Sequence, residues 1–172
     1  YSFNIASIGL DAYVADMTNR LKRAFPGDSY KFWVNVGTLF YDRLYNVVEM
    51  GLKAWNKEKL LFDSKCPRLL VAMGASGNRQ YGSNKKILPT EDNCVAVAQT
   101  SLFRKLLLKG PIEHGRHENI PELVHFTADK LLIEYSERVP LQCDGETEIL
   151  AKCDFPLTME RIYDAYNVLV PA

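Results

Sequence analysis

The sequence has 172 residues, of which 47% are apolar, 11% aromatic and 24% charged, and this composition excludes a disordered chain. Lysine plus arginine and aspartate plus glutamate number 21 each, so no net field draws the chain to nucleic acid or to an anionic membrane. No apolar run approaches the ~20 residues of a transmembrane helix. Four scattered cysteines, no CxxC pair and no secretory leader predict reduced thiols in a cytoplasmic protein.

The first predicted elements are a short strand and a helix. Residues 2–9, SFNIASIG, form an apolar run that ends in glycine and favours a buried strand. Asp11 is then placed to cap a helix that ends before Pro26 and Gly27. Four apolar residues at spacings of four, three and four form one face of this helix: Leu10, Val14, Met17 and Leu21.

A second helix is predicted after Asp28 and Ser29, where aromatic and apolar residues recur every three or four positions. We call these residues the aromatic stripe: Tyr30, Trp33, Val34, Gly37, Phe40, Tyr41 and Leu44. A helix face of this kind is more often buried in a core than exposed, so we expect core packing. The alternative is that the stripe lines a lipid pocket.

After residue 46 the sequence changes to short β-branched and apolar runs separated by turn residues, which indicates strands. The predicted strands are 47–54, 60–63, 68–75, 94–98, 123–127, 130–136, 139–143, 148–152 and 163–170, with a short helix at 103–108. Strands do not alternate with helices in this sequence, so no parallel sheet is predicted. The sequence therefore predicts a mainly β, α+β fold: one β-sandwich domain over 1–172, with two helices in its first half and one short helix later.

The strand at 139–143 leads into a sequence with two carboxylates, Asp144 and Glu146. Asp144-Gly145 is a strong signal for a two-residue hairpin, and a turn with solvated acids explains it fully. The alternative is functional, because two acids on a rigid turn can serve phosphoryl transfer. One would accept the proton of an attacking hydroxyl, while the other would orient it or help to hold Mg²⁺.

Other candidate sites carry weaker signals. Small residues cluster in residues 73–84, which contain Asn78, but their spacing matches no phosphate-binding glycine loop. Glu91 and Asp92 are oxygen ligands of the type that Mg²⁺ takes, although two acids alone define no site. Histidines three positions apart in residues 114–117 lack further ligands for zinc. A mobile or solvated loop explains the first two segments at least as well, and it is the better explanation for residues 114–117.

Four stretches in this order resemble the carboxy-terminal lobe of the diacylglycerol kinase catalytic family, which includes bacterial lipid kinases, sphingosine kinases and ceramide kinases. They are Ala6-Ser-Ile-Gly-Leu-Asp-Ala12, Gly77-Asn78 to Tyr81-Gly82, the turn from Pro89 to Asp92, and Asp144-Gly-Glu146. Each motif is loose by itself. Their order and spacing across nearly the whole chain carry the resemblance.

The resemblance implies half of an enzyme. In this family a first lobe binds ATP through a Gly-Gly-Asp-Gly loop, which does not occur in this sequence, and a second β-sandwich lobe supplies acids. It implies that Asp144 and Glu146 are catalytic, that Asn78 contacts the cofactor, and that Asp92 lies where some bacterial members bind Mg²⁺. Here Asp92-Asn93-Cys94 replaces the Asp-Asp-Gly turn common in the family, which weakens the metal assignment.

The expected function is therefore that of a lobe of an ATP-dependent lipid kinase, cytoplasmic and peripheral to a membrane. Its expected partners are a lipid substrate, the missing amino-terminal lobe and, as an option, a second copy in a homodimer; ATP and Mg²⁺ are the expected cofactors, with ATP held mainly by the missing lobe. Two alternatives stay open. One is a non-catalytic β-sandwich that binds lipid or another subunit through the aromatic stripe, and the other is a soluble-substrate kinase similar to NAD kinases.

Overall fold

The structure, a computed structural model, describes residues 1–25, 27–74, 93–113 and 120–163. The described helices are α1 (Leu10–Ala24), α2 (Tyr30–Leu39), α3 (Tyr41–Leu44) and α4 (Leu102–Glu113), with a 3₁₀ turn at Lys152–Asp154. The described strands are β1 (Ala6–Gly9), β2 (Glu49–Asn56), β3 (Lys59–Met73), β4 (Cys94–Ala98), β5 (Leu123–Phe126), β6 (Lys130–Glu134), β7 (Val139–Cys143), β8 (Glu146–Leu150) and β9 (Leu157–Glu160).

Within the described ranges, the strands form one curled antiparallel sheet. Its order is β8-β7-β1-β3-β2-β6-β9, and β4 and β5 branch from β3. The long strand β3 joins the two halves: its first part pairs with β2 up to Pro67, and its last part, from Arg68 onward, pairs with β4 and then also with β1. The predicted mainly β, α+β class is confirmed. The prediction of a sandwich implied two sheets, whereas the described strands belong to one continuous sheet.

The sheet has a core on each side. The inner core contains apolar side chains from both halves, including Met50, Val71 and Ile133, each no more than 1% exposed. The outer core lies between the sheet and the helices, where Leu10 and Tyr13 of α1 pack with Leu70. Burial of these side chains provides the main stabilisation of the fold. Helix α1 is thereby fixed against the sheet along its first turns.

The junction of β1 and α1 depends on Gly9. Its φ of +92° lies in the left-handed region, and a Cβ atom there would lie 2.2 Å from the carbonyl oxygen of Leu69. Only glycine permits this close approach of two backbones. The glycine of the first family-like motif is therefore required for the sharp turn from the strand into the helix.

The predicted helices and most predicted strands are confirmed, with differences at four places. The strands predicted at 60–63 and 68–75 are one strand, β3. The second helix is broken at Phe40 into α2 and α3. Strand β9 was not predicted, and the strand predicted at 163–170 lies almost wholly outside the described residues. No helix in the described part of the chain has the length and apolar character needed to cross a bilayer.

Candidate functional site

The two acids predicted to be catalytic lie at the hairpin between β7 and β8. We call Asp144, Gly145 and Glu146 the acidic turn. Cys143 pairs with Glu146, and the two residues between them have positive φ angles, +52° for Asp144 and +92° for Gly145. Positive φ at both central positions is the pattern of a type I′ turn, which matches the right-handed twist of the flanking strands. The predicted two-residue hairpin is confirmed.

The Asp144 carboxylate is hydrogen-bonded to the segment that precedes β1. Its Oδ1 accepts hydrogen bonds from Ser2 Oγ at 2.9 Å, Asn4 N at 2.8 Å and Ile5 N at 2.9 Å, and its Oδ2 accepts one from Phe3 N at 2.6 Å. The backbone N–H of Asp144 donates to the carbonyl oxygen of Ile5 at 2.9 Å. The side chain thus satisfies three backbone donors and fixes the path of this segment relative to the hairpin.

These contacts change the acidity of Asp144. Partial burial alone would raise its pKa, but the hydrogen bonds from Ile5, Phe3, Asn4 and Ser2 outweigh it, so the pKa lies below the ordinary aspartate value. Hydrogen bonds to the charged form of a carboxylate stabilise that form. Asp144 is therefore ionised at neutral pH, and it is a weaker proton acceptor than a free carboxylate.

Glu146, the first residue of β8, has a different environment. Its side chain is exposed, and no hydrogen bond or ion pair from the described residues reaches its carboxylate. Within the described ranges, the acceptor positions of this carboxylate are left to solvent or to a ligand. The acidic turn thus carries one carboxylate that accepts hydrogen bonds from the described residues and one that does not.

A buried hydrogen-bond chain connects the acidic turn to the first turn of α1. Asp11 Oδ2 accepts hydrogen bonds from Ser7 Oγ at 2.7 Å and from Gln142 Nε2 at 2.9 Å. Gln142 Oε1 in turn accepts a hydrogen bond from Gly145 N at 2.9 Å. Burial raises the pKa of Asp11, while the bonds from Ser7 and Gln142 act in the opposite direction. We call Ser7, Asp11 and Gln142 the buried relay.

The interpretation of Asp11 as a helix cap is wrong. Helix α1 begins at Leu10, its N-cap position is Gly9, and no side chain caps it. Asp11 lies inside the first turn, where a carboxylate is favoured by the helix dipole. Its side chain crosses to β7 because it has a partner there, Gln142, which a local sequence pattern does not reveal.

Two further contacts hold α1 against the hairpin. Asn19 Nδ2 donates to the carbonyl oxygen of Gly145 at 2.9 Å. Thr147 Oγ1 donates to Asp16 Oδ1 at 3.3 Å, and the same oxygen of Asp16 accepts from Arg20 at 2.9 Å. The carbonyl and the N–H of Gly145 are therefore both bonded within the protein, which fixes the backbone of the acidic turn.

An apolar cavity of about 340 Å³ lies between α1, α2, α4 and the sheet. Its lining is mostly aliphatic, with lysines and polar residues also present. It is lined by Leu10, Val14, Thr18, Tyr30, Lys31, Val34, Asn35, Thr38, Leu39, Leu69, Val97, Thr100, Lys105, Leu108, Lys109, Ile112 and Leu123. Lys105 is paired with Asp42, and Lys31 lies 2.9 Å from Asp28. Its volume is within the range of small-molecule sites.

The aromatic stripe is only partly buried, so the prediction of core packing is wrong for most of its large residues. Val34 and Tyr41 are 7% and 2% exposed, whereas Trp33, Phe40 and Leu44 are 49%, 46% and 61% exposed. Helix α2 ends at Leu39 and α3 begins at Tyr41, so the stripe does not lie on one continuous helix. Tyr30 and Val34 line the apolar cavity, which supports the alternative that part of the stripe faces a pocket.

The proposed metal and cofactor residues fall largely outside the described chain. Asn78 and Asp92, with residues 75–92 and 114–119, are not among the described residues. Asn93 is described, and its side-chain amide is bonded to the backbone N–H and carbonyl of Ala128 at 3.0 and 2.9 Å. Burial raises the pKa of the Cys94 thiol to about 12. These two residues do not fit a Mg²⁺ site.

In the part of the chain that is described, no three histidine, cysteine, aspartate or glutamate side chains are grouped so that they could hold a metal ion. The assignment of Mg²⁺ to Asp92 stays a prediction.

No family model matches this sequence, and no curated protein does. A candidate diacylglycerol kinase from Bacillus anthracis strain Sterne aligns over 93% of this chain and 54% of its own, with a TM-score of 0.40 and 17% identity. A diacylglycerol kinase from the same strain aligns over 95% of this chain and 50% of its own, with a TM-score of 0.36 and 13% identity. The chain spans about half the length of these solved structures.

The sequence predicted the acids but missed the groups that hold them. Ser7 and Gln142 pair in register on adjacent strands, β1 and β7, but they lie 135 positions apart in the sequence. One signal was present: the strand alternation of 139–143 places Gln142 on the face opposite Val139 and Leu141. A polar residue on a face that a helix covers is a candidate for a buried hydrogen bond.

Proposed function

We propose that this chain is part of an ATP-dependent lipid kinase that phosphorylates a hydroxyl of diacylglycerol or of a similar lipid. The observation that carries the proposal is the connection of the first and last family-like motifs around one turn. Asp11 of the first motif reaches Gly145 of the last through Gln142, although the two motifs lie more than a hundred positions apart. The resemblance in sequence thus corresponds to one local arrangement of side chains.

The proposed reaction uses the acidic turn as the proton acceptor. The lipid hydroxyl oxygen attacks the γ-phosphorus of ATP, the bond to the bridging oxygen of ADP breaks, and the hydroxyl proton passes to a carboxylate. Glu146 has free acceptor positions, whereas Asp144 already accepts four hydrogen bonds. We assign Asp144 mainly to ordering the turn and Glu146 to contact with the hydroxyl. ATP, and Mg²⁺ where it binds, would be held mainly by the rest of the parent protein.

The preference for a lipid is supported by the apolar cavity. Helix α1 lines this cavity with Leu10, Val14 and Thr18, and it holds the acidic turn through Asn19. An acyl chain in the cavity gains about 0.8 kcal/mol for each buried methylene. A site for an acyl chain and a pair of carboxylates therefore share one rigid helix, which suits a substrate with an apolar tail and a hydroxyl.

The test is a comparison of Asp144→Asn and Glu146→Gln in the full-length parent protein, with ATP and diacylglycerol in detergent micelles. Loss of a proton acceptor in the transition state lowers kcat by about 10²- to 10⁴-fold. We expect a loss in this range for Glu146→Gln and a smaller one for Asp144→Asn. Turnover is measured as radioactive phosphate transferred to lipid, and thermal unfolding confirms that each variant is folded. The isolated 172-residue chain is expected to be inactive.

Matched controls use the same substitutions at exposed positions. Glu148→Gln changes the next outward-facing acid on β8, and Asp63→Asn changes an exposed aspartate that is paired with Lys53. Neither is expected to change turnover. Retention of wild-type kcat in both Asp144→Asn and Glu146→Gln would remove the acidic turn from the mechanism.

A second candidate function is favoured by the exposed part of the aromatic stripe. Trp33, Phe40 and Leu44 leave an apolar surface on α2 and α3 that a non-catalytic lipid- or subunit-binding domain could use. A parent protein that binds lipid vesicles but transfers no phosphate to lipid would support this function over the kinase.

A further inference from the structure

In the buried relay, the amide nitrogen of Gln142 donates a hydrogen bond and its amide oxygen accepts one. Asp11 and Gln142 are 6% and 5% exposed, so water contributes little to their hydrogen bonding. The backbone N–H of Gly145 can only donate a hydrogen bond, so the amide oxygen of Gln142 must face it and the NH₂ group must face Asp11 Oδ2. Asp11 therefore holds the amide in the orientation that presents its oxygen to the acidic turn.

The acidic turn needs such support. Asp144 has a φ of +52°, in the left-handed region that is unfavourable for a residue with a side chain. Gly145 is held from one side by Gln142 and from the other by Asn19. Removal of one of these bonds leaves a turn whose backbone can relax.

A role in folding alone does not explain why the relay contains an acid. Among the described residues, the hydrogen-bond partners of Asp11 are Ser7 and Gln142, and neither carries a charge. A buried carboxylate without a cationic partner costs free energy, and burial accordingly raises the pKa of Asp11. Costly polar groups of this kind are retained more readily when they fix a functional geometry.

We propose that Asp11 and Gln142 are positioning residues that hold the backbone of the acidic turn and so place Asp144 and Glu146 for the reaction. This inference rests on the proposed kinase function. It also assigns the relay a local effect, the ordering of Gly145 N, which is measurable without any activity.

The test exchanges donor and acceptor within the relay. Gln142→Glu places two carboxylates at hydrogen-bond distance in a buried site, and above the pH at which the pair loses its shared proton their repulsion displaces the side chain from Gly145. In the full-length protein we expect kcat to fall about tenfold or more, as for other small displacements of catalytic groups. The KM for ATP should stay within about twofold, because no nucleotide contact is changed.

Adding Asp11→Asn to Gln142→Glu should restore the activity. The amide nitrogen of the new side chain at position 11 can donate one N–H to the carboxylate at position 142 and the other to Ser7 Oγ, which can also accept. We expect the kcat of the double variant to be within about threefold of the wild-type kcat, because the two side chains are energetically coupled. Gln142→Met, which keeps the volume and has no donor, should show a similar loss of kcat that Asp11→Asn does not restore. Gln99→Glu makes the same chemical change at an exposed position and should leave kcat unchanged.

The second measurement is amide hydrogen exchange at Gly145, followed by NMR in this chain. Loss of one hydrogen bond should speed exchange about fivefold or more in Gln142→Glu and Gln142→Met, with recovery in the double variant. Unchanged kcat in a folded Gln142→Met enzyme, or no recovery in the double variant from a loss seen in Gln142→Glu, would overturn the proposal. Wild-type protein without kinase activity would instead overturn the proposed function, and the exchange rates would still decide whether the relay holds the turn.

Discussion

At the scale of single residues, Asp144 shows a conflict between stability and basicity. The four hydrogen bonds that its carboxylate accepts stabilise the folded chain and lower its pKa. A lower pKa makes a carboxylate a poorer general base at neutral pH. We therefore proposed different roles for Asp144 and for Glu146, which accepts no such bonds from the described residues.

The role of Asp144 in stability predicts a specific dependence on pH. Because its pKa is lowered in the folded state, its stabilisation is present above the unfolded value of 3.8 and is lost as the pH falls through the folded pKa. We expect Asp144→Asn to lower the free energy of unfolding by about 1 to 2 kcal/mol at neutral pH. Urea denaturation at several pH values measures this difference. A difference that stays constant into the acid range would show that the carboxylate charge is not involved.

Residue roles were predictable from the sequence only where they depend on neighbours in the chain. The Asp144-Gly145 pair predicted its hairpin correctly, because the signal lies in two adjacent residues. The partners of Asp144, Ser2 and Asn4, lie 142 and 140 positions away, and no local pattern reveals them. Asp11 was misread as a cap for the same reason.

At the scale of elements, α1 connects the two parts of the candidate site. One side of the helix borders the apolar cavity, and another side contacts the hairpin. If an acyl chain bound in the cavity displaced α1, the hairpin would be displaced with it. The sequence predicted part of the cavity wall, because Leu10 and Val14 belong to the predicted apolar face of α1. It did not predict Thr18, which is not apolar. The cavity itself was not predictable, because α4 and β5, which complete its wall, follow much later in the chain.

Filling the cavity should discriminate between acyl chains. Val34 is 7% exposed and lines the cavity, so Val34→Phe occupies space that a chain would use. Loss of room for two or three methylenes costs about 2 kcal/mol, and we expect about a 30-fold higher KM for long-chain diacylglycerols. Short-chain acceptors should be little affected. Val124→Phe, at a 49% exposed position on β5, is the matched control. An equal effect on long and short acceptors would show that the cavity does not hold the chain.

At the scale of the whole molecule, the exposed apolar side chains and the absence of net charge determine how the protein would meet a membrane. Helix α4 exposes Leu102, Phe103, Leu106 and Leu107 by 44–71%, and α2 exposes Phe32 and Trp33 by 64% and 49%. Both helices also line the cavity. Lysine plus arginine and aspartate plus glutamate remain balanced at 21 each. We therefore expect any membrane contact to depend on apolar insertion.

Vesicle sedimentation tests this expectation. Binding of the chain to phosphatidylcholine vesicles and to vesicles with anionic lipid should agree within about threefold, because no net charge contributes. Trp33→Ser combined with Phe103→Ser should weaken binding, and Leu61→Ser, at a 41% exposed position on β3, should not. A strong preference for anionic vesicles would show that local cations, and not the apolar side chains, carry the contact.

The sequence predicted the fold class but not the way in which the sheet is connected. Alternating and β-branched runs identified most strands, since those signals are local. Pro67 separated two predicted strands because proline lacks the N–H that a ladder needs, yet β3 passes through it. Pro67 lies where the pairing of β3 changes from β2 to β4, so its missing donor costs no hydrogen bond in the middle of a ladder.

The position of β1 has a consequence for how the chain folds. This strand lies between β3 and β7, so an inner strand near the start of the sequence receives its second neighbour only from residues 141–143. Closure of such a long loop has a large entropic cost before any contact repays it, and folds dominated by distant pairings form slowly. Until residues 141–143 have been synthesised, β1 can pair only with β3 among the described strands, and its other edge has no partner strand.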